Sequence, residues 1–148
     1  MNIRMKMLRK IALVVDTDVF YKQSEKFGKL AARSLTSERR SQITGLENLA
    51  NTSRKVSDIL DYVKVRTARD LQSRKNDQPG WHRNDLGKEA LAYLEQDLRK
   101  LRDDLCRSKE LASLDEFQQQ EVYMLLIRAF VSQLAAHYEY ACQVGSGK

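Results

Sequence analysis

The residues best suited to chemistry in this sequence are arginines and lysines that could hold phosphate groups. Arg66 and Arg69 lie three residues apart in residues 60–69, a spacing that places both side chains on one side of a helix. Such cations bind the phosphates of a nucleic-acid backbone without reading its bases. The predicted RNA-binding residues are Arg39, Arg40, Arg54, Lys55, Lys64, Arg66, Arg69, Arg74, Lys75 and Arg83.

The same cations have a second interpretation, an ordinary solvated surface. Three carboxylates are interleaved with them and would weaken their combined field: Asp58, Asp61 and Asp70. Trp81 and His82, next to Arg83, could stack on a base of a single strand. A tryptophan that covers the end of a helix is an equal alternative at this position.

Catalytic and metal chemistry have little support in the sequence. His82 and His137 are the two histidines, and neither is spaced from a carboxylate or a cysteine as a catalytic dyad or a metal site requires. A glycine-rich phosphate loop is also missing. Cys106 and Cys142 lack CxxC spacing and are predicted to be free thiols. The sequence therefore predicts no catalytic residue, no metal ligand and no cofactor, and a protein that is not an enzyme.

The charge of the chain is unevenly distributed. The 26 Lys and Arg exceed the 20 Asp and Glu by six. Residues 110–148 hold two basic and five acidic residues, so residues 1–109 carry a surplus of +9. This asymmetry predicts an anionic partner for the N-terminal part and a packing or assembly surface at the C-terminal end.

The longest early apolar run, residues 11–15, is too short for a signal peptide or a membrane span. We therefore expect a cytoplasmic protein that does not enter a membrane.

The elements that must position these residues are predicted to be helices. One Pro and six Gly in 148 residues are too few for the turns of a β-sandwich or barrel, so the sequence predicts an all-α fold, a single-domain bundle of about four to six helices over residues 1–148. A leucine seam indicates a helix packed along another: Leu91, Leu94, Leu98, Leu101 and Leu105. Residues 76–85 form a basic loop, residues 114–142 the central helix, and residues 144–148 a flexible tail.

The N-terminal residues are the exception to the helical pattern. Residues 10–20 contain a β-branched apolar run followed by Asp16 and Asp18, which predicts a short strand or an irregular segment within residues 1–15. This is similar to the first strand of a PIN-type nuclease, but no second β-branched run follows, so we reject a nuclease. We expect Asp16 or Asp18 to cap a following helix that carries Phe20.

Two segments of the chain point to a family. Residues 59–66, preceded by residues 35–37 with Arg39 and Arg40, resemble the helix start and the Leu-Lys-x-Arg/Lys segment of the small-subunit family of type III-A (Csm-type) CRISPR effector complexes. Residues 130–140 are similar to the closing helix of that family, in which an apolar segment runs into an end rich in His and Tyr. The related small subunit of Cmr-type complexes is similar as well.

The resemblance covers roughly residues 35–142 and leaves the first 30 residues without a counterpart. It implies an all-α, non-catalytic subunit that stacks in copies along a ribonucleoprotein filament and serves in antiviral defence. It also implies backbone contacts to the guide RNA and the target RNA, and contacts to other effector-complex subunits. Scattered cations without a base-reading motif are what such backbone binding requires.

Two other function classes remain open at this point. A helical DNA-binding protein needs a helix-turn-helix with a short glycine-containing turn, for which Thr44 and Gly45 are the candidates. A helical protein–protein adaptor without a nucleic-acid role would use the leucine seam as its partner surface. Only the first of these binds nucleic acid in a salt-dependent way.

Overall fold

The computed structural model describes residues 1–145, which form six helices and no strand. The helices are α1 (Ile3–Val15), α2 (Asp18–Leu35), α3 (Arg40–Thr52), α4 (Val56–Ser73), α5 (residues 86–106) and α6 (Glu116–Gly145). Their buried apolar side chains form one continuous core. The predicted all-α helical bundle is therefore confirmed.

The longest helix, α6, is the centre of the bundle, as its hydrophobic pattern predicts. Helices α1 to α5 all contact it, and α2 shares the most extensive contact. A side chain at Gly28 on α2 would overlap Cβ of His137 and lie 2.8 Å from the carbonyl oxygen of Leu134. Glycine at this position therefore permits the close approach of α2 to α6.

Helix α6 begins with a capping box. Asp115 Oδ1 accepts a hydrogen bond from the Gln118 backbone N–H at 2.8 Å, and Gln118 Oε1 accepts one from the Asp115 N–H at 3.0 Å.

The N-terminal segment is a helix, so the predicted strand or irregular segment over residues 1–15 is wrong. Met7 and Ile11, four residues apart, are buried and give α1 one apolar side that packs on the bundle. Because this burial outweighs the weak strand preference of β-branched residues, residues 11–15 complete a helix. The cap of α2 is Thr17, whose hydroxyl accepts a hydrogen bond from the Phe20 N–H at 3.3 Å, rather than Asp16 or Asp18.

Helices α3 and α4 are separate and meet at a polar corner. The Ser53 hydroxyl donates to Asp58 Oδ2 at 2.7 Å and accepts from the Lys55 backbone N–H at 3.0 Å. Gly45 lies inside α3, where a Cβ would come within 2.7 Å of the Tyr62 hydroxyl. The glycine therefore makes room for Tyr62, and the turn that a helix-turn-helix needs at Thr44 and Gly45 does not form.

Helix α5 carries the leucine seam and turns it inward. It consists of an α-helix Leu86–Ala92, a π-helical turn Tyr93–Asp97 and an α-helix Leu98–Cys106. The seam is buried or half-buried in the core at all five positions: Leu91, Leu94, Leu98, Leu101 and Leu105. The prediction that this helix packs along another is confirmed, but its seam cannot be the partner surface of an adaptor.

The C-terminal end of the described chain is still helical. Val144 and Gly145 belong to α6, so the predicted flexible tail over residues 144–148 is wrong for these two residues, and the rest of it lies outside the described residues. Within residues 1–145 none of the helices is both long and apolar enough to cross a membrane.

The core contains tyrosines that make folding sensitive to alkaline pH. Tyr93 packs against Phe27 and Phe130 with ring centroids 5.2 and 4.6 Å apart. Burial, helped by the negative charge of Asp97, raises the pKa of Tyr93 to about 12 from its usual 10.0. Burial also raises the pKa of Tyr62, Tyr123 and Tyr138.

We expect the free energy of unfolding to fall as the pH rises from 10 to 12. In this window the unfolded chain has lost the Tyr93 proton while the folded protein still holds it, so deprotonation favours unfolding. Urea unfolding followed by circular dichroism at pH 8 and pH 11 measures the loss. Tyr93→Phe keeps the volume of the side chain and lacks the phenolic proton. Its free energy of unfolding should therefore fall less between pH 8 and pH 11. An equal fall in both proteins would contradict the role given to Tyr93.

Candidate nucleic-acid interface

The basic loop between α4 and α5 is anchored on a buried carboxylate. Asp70, in the last turn of α4, is 5% exposed. Its Oδ2 accepts a hydrogen bond from the Trp81 backbone N–H at 2.8 Å, and its Oδ1 lies 3.4 Å from Arg74 Nε and 3.9 Å from Arg39 Nη2. Two of the predicted RNA-binding residues, Arg39 and Arg74, are therefore engaged inside the protein in balancing this charge.

Trp81 belongs to the core and not to the surface. Its side chain is 2% exposed, and its Nε1 donates a hydrogen bond to Gln42 Oε1 at 2.5 Å. His82 is half-buried, and its Nε2 donates to the Lys75 carbonyl oxygen at 2.7 Å. The interpretation that Trp81 stacks on a base is wrong, because no base can reach a ring enclosed by the bundle.

Arg66 is held in a fixed orientation on the surface of α4. The carbon at the centre of its guanidinium lies 3.5 Å from the centroid of the Tyr62 ring. Tyr62 is itself fixed, since its hydroxyl donates to the Gln42 carbonyl oxygen at 2.5 Å. Arg69 follows three residues later with its side chain exposed. The two arginines thus lie on neighbouring turns of one helix, as the sequence predicts.

Two of the predicted cations form ion pairs with other helices. Arg40 Nε lies 2.8 Å from Glu139 Oε1 on α6, and this contact raises the pKa of Arg40. Lys64 Nζ lies 3.8 Å from Glu95 Oε2 on α5. The side chains of both pairs are between a third and a half exposed, so each pair contributes little to stability and a phosphate can compete for the cation.

The remaining cations lie in separate places. Arg54, Lys55, Arg69, Lys75 and Arg83 form no ion pair with any residue between 1 and 145. Lys55 precedes α4 and Arg69 lies near its end, fourteen residues later, which corresponds to about 20 Å along a helix. The ten predicted residues therefore do not form one patch. Two groups combine proximity along the chain with availability to a ligand: the adjacent, exposed Arg54 and Lys55 before α4, and Arg66, Arg69 and Lys75 at its C-terminal end.

Two grooves contain cations that the sequence prediction missed. Arg4 and Arg128 line a groove of about 710 Å³ together with Arg54. Lys29 and Arg33 line a second groove, of about 1050 Å³, together with Arg83. The four-residue spacing of Lys29 and Arg33 on α2 is a local signal that could have identified the second pair. The first pair comes from α1 and α6, so no local pattern connects it.

Arg128 also has a structural role that its sequence context does not indicate. Its Nε donates to the Ala50 carbonyl oxygen at 2.9 Å, and its Nη2 donates to the Ser53 carbonyl oxygen at 3.4 Å. These carbonyls lie at the C-terminal end of α3, where a helix lacks partners for its last oxygens. Arg128 therefore donates hydrogen bonds to the free carbonyl oxygens at the end of α3, and it is less available to an external phosphate than Arg54.

The arrangement can bind phosphates through fixed and exposed cations at the surface of α4. Among residues 1–145, no three His, Cys, Asp or Glu side chains come together in a group that could hold a metal ion. A scan of the chain against protein-family models, a search of curated proteins and a search of solved structures each found no match.

Proposed function

We propose that this chain is a non-catalytic helical small subunit that binds the RNA backbone in a type III CRISPR effector complex. The observation that supports this most is the cationic surface formed by Arg66, Arg69 and Lys75 along the C-terminal half of α4 and into the following loop. Arg66 is preorganised by the Tyr62 ring, so little side-chain freedom is lost when it binds a phosphate.

The carboxylate that follows Arg69 directly in the sequence does not oppose an anion. Asp70 points into the protein, and Arg39 and Arg74 balance its charge. The field of Arg66 and Arg69 therefore remains available to phosphates. Phosphate contacts of this kind give affinity without sequence preference, which suits a subunit that must accept any guide and target RNA.

The two segments that carry the family resemblance lie in α4 and α6. Residues 59–66 include the Tyr62 ring and Arg66, and residues 130–140 include the buried side of α6 and Glu139. In the proposed role, α4 contacts RNA and α6 holds the bundle together. Neighbouring subunits of the complex, including other copies of this chain, would contact the remaining surfaces.

The test of this proposal is the double variant Arg66→Glu/Arg69→Glu. We expect it to bind a fluorescein-labelled single-stranded RNA about tenfold more weakly, because two attractive interactions with phosphates become repulsive. The slope of log affinity against log salt between 50 and 200 mM should fall by about 1.4, or about 0.7 for each phosphate that is no longer neutralised. Fluorescence anisotropy measures both quantities.

A matched control separates this surface from the total charge of the chain. Lys6→Glu/Arg9→Glu makes the same charge change at exposed positions on α1. The control should bind RNA more tightly than the α4 variant and keep more of the salt dependence. Equal weakening by both variants, or no weakening by the α4 variant, would contradict the proposed role of α4. Far-ultraviolet circular dichroism checks that both variants keep their helices.

A second candidate function, a protein–protein adaptor, is supported by an apolar surface on α1. Met5 and Leu8 lie three residues apart on α1 and are 56% and 42% exposed, and Met1, 67% exposed, precedes the helix. Phe117, 80% exposed, lines the groove that Arg4 of α1 also lines. The adaptor hypothesis predicts that the unmodified chain shows no salt-dependent binding to RNA or to duplex DNA, whereas the proposed function predicts such binding to RNA.

A further inference from the structure

The second groove lies between the C-terminal half of α2 and the C-terminal end of α6. Its lining residues include Arg33, Arg83, Asn84, His137 and Tyr140. Its volume of about 1050 Å³ is at the upper limit of sites that hold small organic ligands, which are about 300–1,000 Å³. This volume is large enough for a nucleotide.

The charge of this groove favours an anion. Lys29 Nζ lies 3.8 Å from Glu25 Oε2, so these two lining residues offset each other. Arg33 and Arg83 have no ion pair with any other part of the described chain. Two uncompensated guanidinium groups thus remain, and guanidinium is the side chain best shaped to bind a phosphate through two hydrogen bonds.

The groove also contains an aromatic ring that is open to solvent. Tyr140 is 69% exposed, in contrast to Tyr138, which is buried and donates its hydroxyl hydrogen bond to the Thr36 carbonyl oxygen. The His137 ring already contacts another aromatic ring, since it packs edge-on against Tyr21 with centroids 4.8 Å apart. Tyr140 is therefore the ring in this groove that is free to stack on a base, and an exposed ring beside cations is the usual platform for a single-stranded nucleic acid.

The backbone at the edge of the groove holds Arg83 in place. Asn84 and Asp85 have φ values of 53° and 56°, left-handed conformations that residues other than glycine adopt rarely. Asn84 Nδ2 donates to Ser34 Oγ at 3.2 Å, and the next helix begins with buried Leu86. Because these contacts fix the turn, Arg83 is presented from a rigid support rather than from a mobile loop.

We infer that this groove binds one nucleotide of a single-stranded RNA, with the base on Tyr140 and the phosphates between Arg33 and Arg83. The inference rests on the proposed function and adds to it a site for an unpaired base, distinct from the backbone contacts along α4. The two sites differ in the form of RNA they recognise. The α4 surface binds single and double strands, while a ring can stack only on a base that is free of its partner strand.

The test compares Tyr140→Ala with Tyr140→Phe, which keeps the ring. The probes are a fluorescein-labelled ten-nucleotide oligouridylate and a labelled RNA duplex, with oligodeoxythymidylate as the DNA counterpart. We expect Tyr140→Ala to bind oligouridylate about tenfold more weakly, because the variant loses the stacking of one base. Its affinity for the duplex should equal that of the unmodified chain. Tyr140→Phe should bind both RNAs normally. Arg33→Glu/Arg83→Glu should weaken oligouridylate binding more than the control Lys6→Glu/Arg9→Glu.

Several results would decide the role of the groove. Ultraviolet crosslinking of 4-thiouridine RNA to the peptide that contains Tyr140 would support the inference. Normal binding of oligouridylate by Tyr140→Ala, or equal losses of affinity for the single strand and the duplex, would overturn it. If Tyr140→Ala binds normally while Arg66→Glu/Arg69→Glu does not, the groove assignment fails and the proposed function stands. If the unmodified chain binds no RNA, both fail, and tight binding of oligodeoxythymidylate alone would assign the groove to DNA instead.

Discussion

Replacing Trp81 with alanine is expected to lower the free energy of unfolding by about 3–5 kcal/mol. The side chain is 2% exposed, packs against the Tyr62 ring at a centroid separation of 6.5 Å, and donates its Nε1 hydrogen bond to Gln42. Its removal leaves a cavity where α3, α4 and the basic loop meet, and leaves Gln42 without its partner. Since domains of this size are stable by about 5–15 kcal/mol, the loss is a large part of the total.

Urea unfolding followed by circular dichroism measures this loss, and Trp81→Phe is the matched control. Phenylalanine keeps a buried six-membered ring but lacks the Nε1 donor and part of the indole volume, so it should cost less than alanine. Trp81 is also the only tryptophan in the chain. Its emission should therefore resist acrylamide quenching in the folded protein and shift to longer wavelength on unfolding.

Unchanged stability of Trp81→Ala would support the other hypothesis suggested by the sequence, in which Trp81 stacks on a base. If Trp81 were an RNA-stacking residue, alanine would weaken RNA binding and leave stability nearly unchanged, and bound RNA would quench the tryptophan emission. A loss of stability with no change in RNA affinity per folded molecule is what burial predicts. The two hypotheses therefore make opposite predictions for stability and for RNA affinity.

The helices were predictable from sequence wherever local spacing and tertiary packing agree. Leu94, Leu98 and Leu105 recur at helical intervals and are buried, and the apolar pattern of α6 identifies it as the centre of the bundle. The N-terminal segment was missed because its β-branched residues suggested a strand. Met7 and Ile11 carried the helical signal there, at a spacing of four residues that one short run of valines obscured.

The sequence identified the residue types of the candidate site, but it did not show which arginines hold the fold and which can bind a ligand. Neighbouring Arg39 and Arg40 look equivalent in sequence, yet Arg39 faces Asp70 inside the protein and Arg40 faces Glu139 on α6. Arg40 and Glu139 are 99 residues apart along the chain. Because such partners depend on the packing of helices distant in sequence, no local pattern separates the arginines that hold the fold from those that can bind a ligand.

The network around Asp70 yields a prediction in which stability and binding change in opposite directions. Asp70→Ala removes the acceptor of the Trp81 backbone N–H, and an unpaired buried N–H costs about 1–3 kcal/mol of the free energy of unfolding. Asp70→Asn keeps an oxygen as acceptor for this bond and removes only the charge. We expect it to be destabilised by less than the alanine variant, as measured by urea unfolding.

Loss of the Asp70 charge should at the same time strengthen RNA binding. Arg39 and Arg74 are 23% and 27% exposed at their side chains, so without the carboxylate they can turn toward solvent and bind phosphates beside Arg66 and Arg69. Asp70→Asn should therefore bind RNA more tightly at 50 mM salt, with a salt slope steeper by up to about 1.4 if two further phosphates are neutralised. Asp61→Asn, which removes an exposed carboxylate from the same helix, is the control and should produce a smaller change. Weaker binding by Asp70→Asn in a folded protein would show that the anchored loop, and not the charge it encloses, determines the affinity for RNA.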